Sequence, residues 1–210
     1  MLITENKEKS SKINNDTVKA AYDYVRDYFI RELSPDFLFH SVKHTDEVLK
    51  QAESIGKSMG LNNDELNVLR VSAIFHDLGY TKTYEGHEKE SAVLARQFLT
   101  KRNIKKEQID EVINAILSTK VPQSPQSLVS EILCDADLTN LTFDNYFENA
   151  EKMRQEWIKT GRTNMSEKEF HINSVSFFEN HQYHTDFARR SLEPKKRKNL
   201  RLIKERIDQL

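Results

Sequence analysis

Apolar residues recur along this chain at three- and four-residue spacing, the period of a helix with one buried face. From Asp16 onward Val18, Ala21, Tyr22, Val25, Tyr28 and Phe29 mark a first helix that Ser34-Pro35 ends. A second helix is predicted to begin within 36–42 and run to Met59, with Gly60 as its C-terminal punctuation. Asn63 or Asp64 is placed to cap a third, carrying Leu66, Leu69, Val71, Ala73, Ile74 and Phe75. Its stretch from Val68 to Phe75 is the least polar in the chain and is expected at the centre of the core. Residues 80–86 read as a loop, 88–101 and 108–118 as helices, and Pro122 and Pro125 force an extended segment. Ser127 then caps a helix that ends near Asp137, and 143–159 and 166–180 read as two more. No alternating strand pattern persists and no long repeat is visible, so the fold class is all-α.

Composition narrows the setting. The chain has 210 residues, enough for one substantial core, and only five glycines and four prolines, which suits long helices. A net charge of −1 gives no global field for nucleic acid or membrane. The single cysteine, Cys134, excludes an intramolecular disulfide framework. No apolar run approaches the roughly 20 residues that span a bilayer, and the N-terminus lacks a secretory signal, so a cytoplasmic location is expected. Residues 1–14 are polar and lysine-rich and read as a flexible tail. Residues 189–210 hold nine Lys or Arg, three acidic residues and a loose apolar stripe, and read as a basic helix packed on the domain. That charge run is read as a solvated face, which argues against nucleic acid as a partner.

The candidate chemistry lies in His44, the dipeptide His76-Asp77 and Asp137. Two imidazoles and two carboxylates suit a divalent ion such as Mn²⁺, Mg²⁺, Fe²⁺, Co²⁺, Ni²⁺ or Zn²⁺, and this donor set does not choose among them. Neighbours on a regular helix point about 100° apart, so His76 and Asp77 can share one ion only where a helix ends. Gly79 supports such an end. Asp135 is the alternative to Asp137.

The order His…His-Asp…Asp resembles the HD superfamily of metal-dependent phosphohydrolases, with Phe75-His76-Asp77-Leu78-Gly79 closing an apolar helix and Cys134-Asp135-Ala136-Asp137-Leu138 behind it. The resemblance covers about 37–141 and implies a single-domain, HD-type helical bundle over 15–188. It also implies one divalent metal ion on His44, His76, Asp77 and Asp137, with Asp77 further orienting the attacking water. Asp137 is preferred to Asp135 because the family's last ligand usually closes an apolar-x-Asp-Ala-Asp stretch.

Phe39-His40-Ser41-Val42-Lys43-His44 is similar to an element of cyclic-nucleotide phosphodiesterases, which makes His40 a candidate general acid. Ser41 replaces the asparagine of those enzymes. If the helix already includes Phe39, His40 and His44 share one helical face. Gly86-His87-Glu88-x-x-Ser91-Ala92 resembles the element opening the next helix in bacterial members, where His87 would bind phosphate or support a second metal. Ser118-Thr119-Lys120 stands where two-metal relatives carry a histidine, which argues against that second metal and offers Lys120 as a phosphate contact. Lys82 and Tyr84, on the loop after the His-Asp pair, are further candidate substrate contacts. Trp157 reads as core.

The motifs of guanosine-tetraphosphate, deoxynucleotide-triphosphate and cyclic-dinucleotide hydrolases are missing. Gln155-Glu156-Trp157 and the pattern around His181, Tyr183 and His184 are similar to modules of cyclic-nucleotide signalling systems. The implied activity is metal-assisted hydrolysis of a small phosphate ester or anhydride, with a nucleotide as the expected partner. The alternative is a nucleotide-binding sensor without turnover. A homodimer is left open.

Overall fold

The computed structural model describes residues 10–210, and these form ten α-helices joined by short turns, two of them 3-10 turns. Among the described residues the only β-type pairing is an isolated bridge between Ser11 and Ile104. The helices are α1 (Asn15–Glu32), α2 (Val42–Ser58), α3 (Asn63–Phe75), α4 (His87–Thr100), α5 (Lys106–Ser118), α6 (Leu128–Asp137), α7 (Tyr146–Lys159), α8 (Glu167–Asn180), α9 (Asp186–Ser191) and α10 (Glu193–Gln209). The 3-10 turns cover Leu78–Thr81 and Leu138–Thr142. None of the helices is long and apolar enough to cross a membrane.

α3 is the central element, packed against α1, α2, α4, α5 and α6. Its start follows from local chemistry. Asn62 accepts from the backbone of Asp64 and Glu65, and the Glu65 carboxylate in turn accepts from the Asn62 backbone N–H. Its burial follows from apolar residues on nearly every side, with Leu69, Val71, Ala73, Ile74 and Phe75 fully buried. A helix of that kind cannot lie on a surface, so the other helices wrap it. Gly60, at φ +77°, takes the left-handed conformation that closes α2, as its position predicts.

A second, smaller apolar cluster forms from Leu141, Tyr146, Ala150, Phe170, Phe178 and Ile203, where α7, α8 and α10 meet the second 3-10 turn. The basic stretch is split at Leu192 into α9 and α10 rather than running as one helix, and α10 packs on α8 and α9. Its Asn199 amide donates to the carbonyls of Leu141 and Phe143, which ties α10 to that turn.

Two readings of the sequence need correction. Most of the tail expected over 1–14 lies outside the described residues, but its last residues are packed: Ile13 is 1% exposed, and Ser11 donates to Asn103 and accepts from Lys105. The Ile13 N–H also donates to Gln108 Oε1 at 2.8 Å, so side-chain burial and backbone bonds together anchor it. Gly79 is also not a helix cap. It lies inside the first 3-10 turn, and a Cβ there would stand 1.9 Å from the His87 carbonyl oxygen. It is glycine because the turn and the start of α4 touch backbone to backbone, an approach that the Gly79 N–H donating to Ser91 Oγ at 2.8 Å also holds.

Candidate metal centre

α3 ends at Phe75, His76 keeps helical angles, and Asp77 leaves them at φ −106°, ψ 1°. That departure lets adjacent side chains converge. The ligand atoms of His44, His76 and Asp77 lie within 4.8 Å of one another. His44 Nε2 is 3.4 Å and His76 Nε2 3.2 Å from Asp77 Oδ2. Asp137 joins through Oδ1, 3.2 Å from His44 Nε2 and 3.4 Å from His76 Nε2. Packing of α2 against α3 and α6 brings these groups together across 93 residues of sequence.

Whether this set fits a metal can be judged from its unpaired atoms. His76 Nε2 and Asp77 Oδ2 are buried without a hydrogen-bond partner, an arrangement that costs free energy unless a cation or proton joins them. His76 Nδ1 donates to the Ala73 carbonyl at 2.7 Å, which aims the Nε2 lone pair into the cluster, as a ligating histidine requires. The electrostatics agree. Burial pushes the His76 imidazole down, but the Asp77 and Asp137 carboxylates outweigh it and hold it well above its ordinary value. Burial pushes the Asp137 carboxyl up, yet the neighbouring His44 and His76 imidazoles bring it down to about 2. The site attracts positive charge, and its mixed N/O donors fit a divalent ion.

Asp135, the alternative ligand, is otherwise engaged. Its oxygens accept from the backbone N–H groups of His184 and Thr185 at 2.7 and 2.8 Å. The His181–His184 segment is thereby pinned behind the site.

His87 opens α4 and reaches Asp77 from the other side, with Nε2 3.5 Å from Oδ1. Its ring stacks on Tyr80 at 3.7 Å, and its Nδ1 lies 3.1 Å from the Tyr84 carbonyl. Burial lowers its pKa, and the Asp77 hydrogen bond and charge more than reverse this, leaving it raised.

His40 does not share a helical face with His44, because α2 begins only at Val42. It reaches the cavity from the preceding turn and is held there by Glu156 of α7. One Glu156 oxygen binds His40 Nδ1, and the other accepts from the backbone N–H groups of Phe39 (2.8 Å) and His40 (3.0 Å). Glu156 is 0% exposed. Burial raises its pKa and these donors lower it further, so the net shift is downward and the carboxylate stays charged. The motif Gln155-Glu156-Trp157 was visible in the sequence, but nothing local links Glu156 to a histidine 116 residues away.

A cavity of about 500 Å³ opens over these groups, and Lys120 and Tyr84 line it. Lys82 is not brought there; its ammonium packs over the Tyr28 ring at 5.3 Å, so its reading as a substrate contact is withdrawn. The sequence reading missed three other groups. Glu88 lines the cavity, 7% exposed, with Oε2 unpaired. Arg162 lies over the Tyr84 ring at 3.8 Å and pairs with Glu85. Trp157, read as core, also lines the cavity and donates from Nε1 to the Tyr84 hydroxyl at 2.7 Å.

An all-α bundle with a His₂Asp₂ cluster at the junction of α2, α3 and α6 defines a recognised class. Residues 41–140 match the model of the HD domain, so the chain carries an HD domain. Solved structures share the fold over nearly the whole length. A predicted HD superfamily hydrolase from an uncultured Thermotogales bacterium is 20% identical, with 91% of each chain covered and a TM-score of 0.61. Bacillus subtilis YpgQ, solved in complex with ADP, is 18% identical, with 93% of this chain and 95% of that one covered and a TM-score of 0.66. A Lactobacillus plantarum protein is 18% identical, with 94% and 96% covered and a TM-score of 0.67. No curated protein matches the chain.

Proposed function

We propose that the protein is a metal-dependent phosphohydrolase acting on a nucleotide or a related small phosphate ester. The observation that carries this reading is the buried cluster of His44, His76 and Asp77, with unpaired atoms on His76 and Asp77 and the partly exposed Asp137 beside it, at an open cavity. A divalent ion held by those four residues would lower the pKa of a bound water and neutralise charge on phosphoryl oxygens. The remaining work falls to the chain's own groups. His87, stacked on Tyr80, offers Nε2 to a phosphate oxygen, and Lys120 adds a fixed positive charge at the rim. His40 protonates the leaving oxygen from Nε2, because Glu156 occupies Nδ1 and fixes the orientation of the ring. The structure of YpgQ with ADP lends a nucleotide some support.

Purified protein supplied with Mn²⁺, Mg²⁺, Co²⁺ or Ni²⁺ is expected to release phosphate or pyrophosphate from at least one member of a nucleotide panel. Binding without release from any of them would replace the enzyme with a sensor. The role of Glu156 has its own signature. Glu156→Gln is expected to lower kcat on an alkyl-type ester about 100-fold, within the range of general acid catalysis, with KM little changed. The loss on a p-nitrophenyl ester, whose leaving group needs no proton, should be much smaller. Equal losses on both substrates would assign Glu156 a purely structural task.

A further inference from the structure

The cavity has two unlike ends. The floor carries the charged groups described above. The facing wall belongs to α7, α8 and the second 3-10 turn, part of the smaller apolar cluster; Arg162, which follows α7, stands beside it over the Tyr84 ring and is paired with Glu85. Tyr146, Met153, Trp157, Phe170 and Phe177 give it an aromatic and thioether surface. Set into that wall are the amides of Asn140 and Asn149. Asn149 is 6% exposed, and its Nδ2 has no hydrogen-bond partner. The Oδ1 of Asn140 is likewise buried and unpaired. Buried amides are normally satisfied, and leaving them unpaired is costly. An asparagine amide also exchanges donor and acceptor by a half-turn of its plane, so each side chain can offer either to the cavity.

We propose that this wall is a base-recognition compartment and that Asn149, with Asn140, selects nucleoside phosphates over phosphosugars and inorganic polyphosphates. The proposal rests on the phosphohydrolase reading only for the direction in which the ligand lies. A flat heteroaromatic ring suits the aromatic surface, and its adjacent donor and acceptor complement an amide edge. A sugar phosphate lacking the base leaves the wall uncovered and the amides unpaired. A polyphosphate would bring anionic charge against an aromatic wall whose neighbouring cation, Arg162, is already paired with Glu85.

Trp157 is the chain's single tryptophan and lines this compartment, so its emission reports on occupancy. The full chain with Mg²⁺ is titrated with adenosine 5′-monophosphate, uridine 5′-monophosphate, ribose 5-phosphate and pyrophosphate, following that emission and the heat of binding. At least one nucleotide is expected to bind about tenfold or more tighter than ribose 5-phosphate, the worth of one well-made polar contact with its burial. Asn149→Leu should erase most of that preference and leave ribose 5-phosphate binding as it was. Because the substitution removes an unpaired buried amide, Tm should hold or rise; a marked fall would shift the test to Asn140→Leu. Ribose 5-phosphate or pyrophosphate binding as tightly as both nucleotides would overturn the proposal, as would an unchanged preference in both variants. Base preference without phosphate release from any ester would sink the enzymatic reading alone. Release without base preference would sink only this compartment.

Discussion

Asp77→Ala is expected to abolish phosphate release, by about 10³-fold or more, while leaving the fold intact. Asp77 faces both imidazoles through one oxygen and His87 through the other, so no other side chain touches as many of the reacting groups. The fold survives because the helix that delivers Asp77 is held by its apolar faces, and a buried carboxylate among histidines adds little stability without a cation. Thermal unfolding separates the two effects. A divalent ion at about 100 times its Kd stabilises the native state by about 2.7 kcal/mol, and for a chain of this size that raises Tm by about 5–10 °C. The wild type should show this rise and the variant should not, while their metal-free Tm values lie within a few degrees. Turnover that persists in the variant would remove Asp77 from the mechanism.

Gly79→Ala should be the most damaging single methyl group in the protein. The added carbon would meet the His87 carbonyl oxygen at 1.9 Å and the Ser91 amide nitrogen at 2.8 Å, both backbone atoms that no rotamer change can move. The turn and α4 would have to separate, at a cost of about 3 kcal/mol or more. At about 2–4 °C per kcal/mol, Tm is expected to drop by roughly 6–12 °C. The same separation carries His87 away from Asp77, so activity in the surviving folded fraction should fall as well. A variant that melts within about 2 °C of the wild type would show that the contact relaxes at little cost.

Several features of the site were legible before any coordinates because their cause is local. The capping residue Ser127 stands where the pattern of side chains puts it, the helix read over 166–180 begins there, and α3 ends where the His-Asp pair needs it to end. The choice of Asp137 over Asp135 came from the resemblance to the HD superfamily, and the engagement of Asp135 by His184 and Thr185 supplies a physical reason for it. Other features were hidden because their cause is distant. Glu156 meets His40, and the Gly79 turn meets α4, only through packing that no helical period encodes. Lys82 lies two residues from Tyr80, which lines the cavity, yet turns away to Tyr28 because the loop direction is set by the turn before it.

What the amino-acid order determined by itself is the all-α class and the central helix, and its resemblance to the HD superfamily offered four candidate side chains for a cation, of which His44, His76 and Asp77 draw together in the structure. The first two depend on the 3.6-residue period, a property of short segments, and the third on the order of motifs along the chain. Only the tertiary structure decided how Asp77 divides its two oxygens, which carboxylate holds His40, and that an aromatic wall with two unpaired amides faces the cluster. Each of these is a contact between elements far apart in the chain, and the burial that makes it matter exists only once the helices have closed around α3.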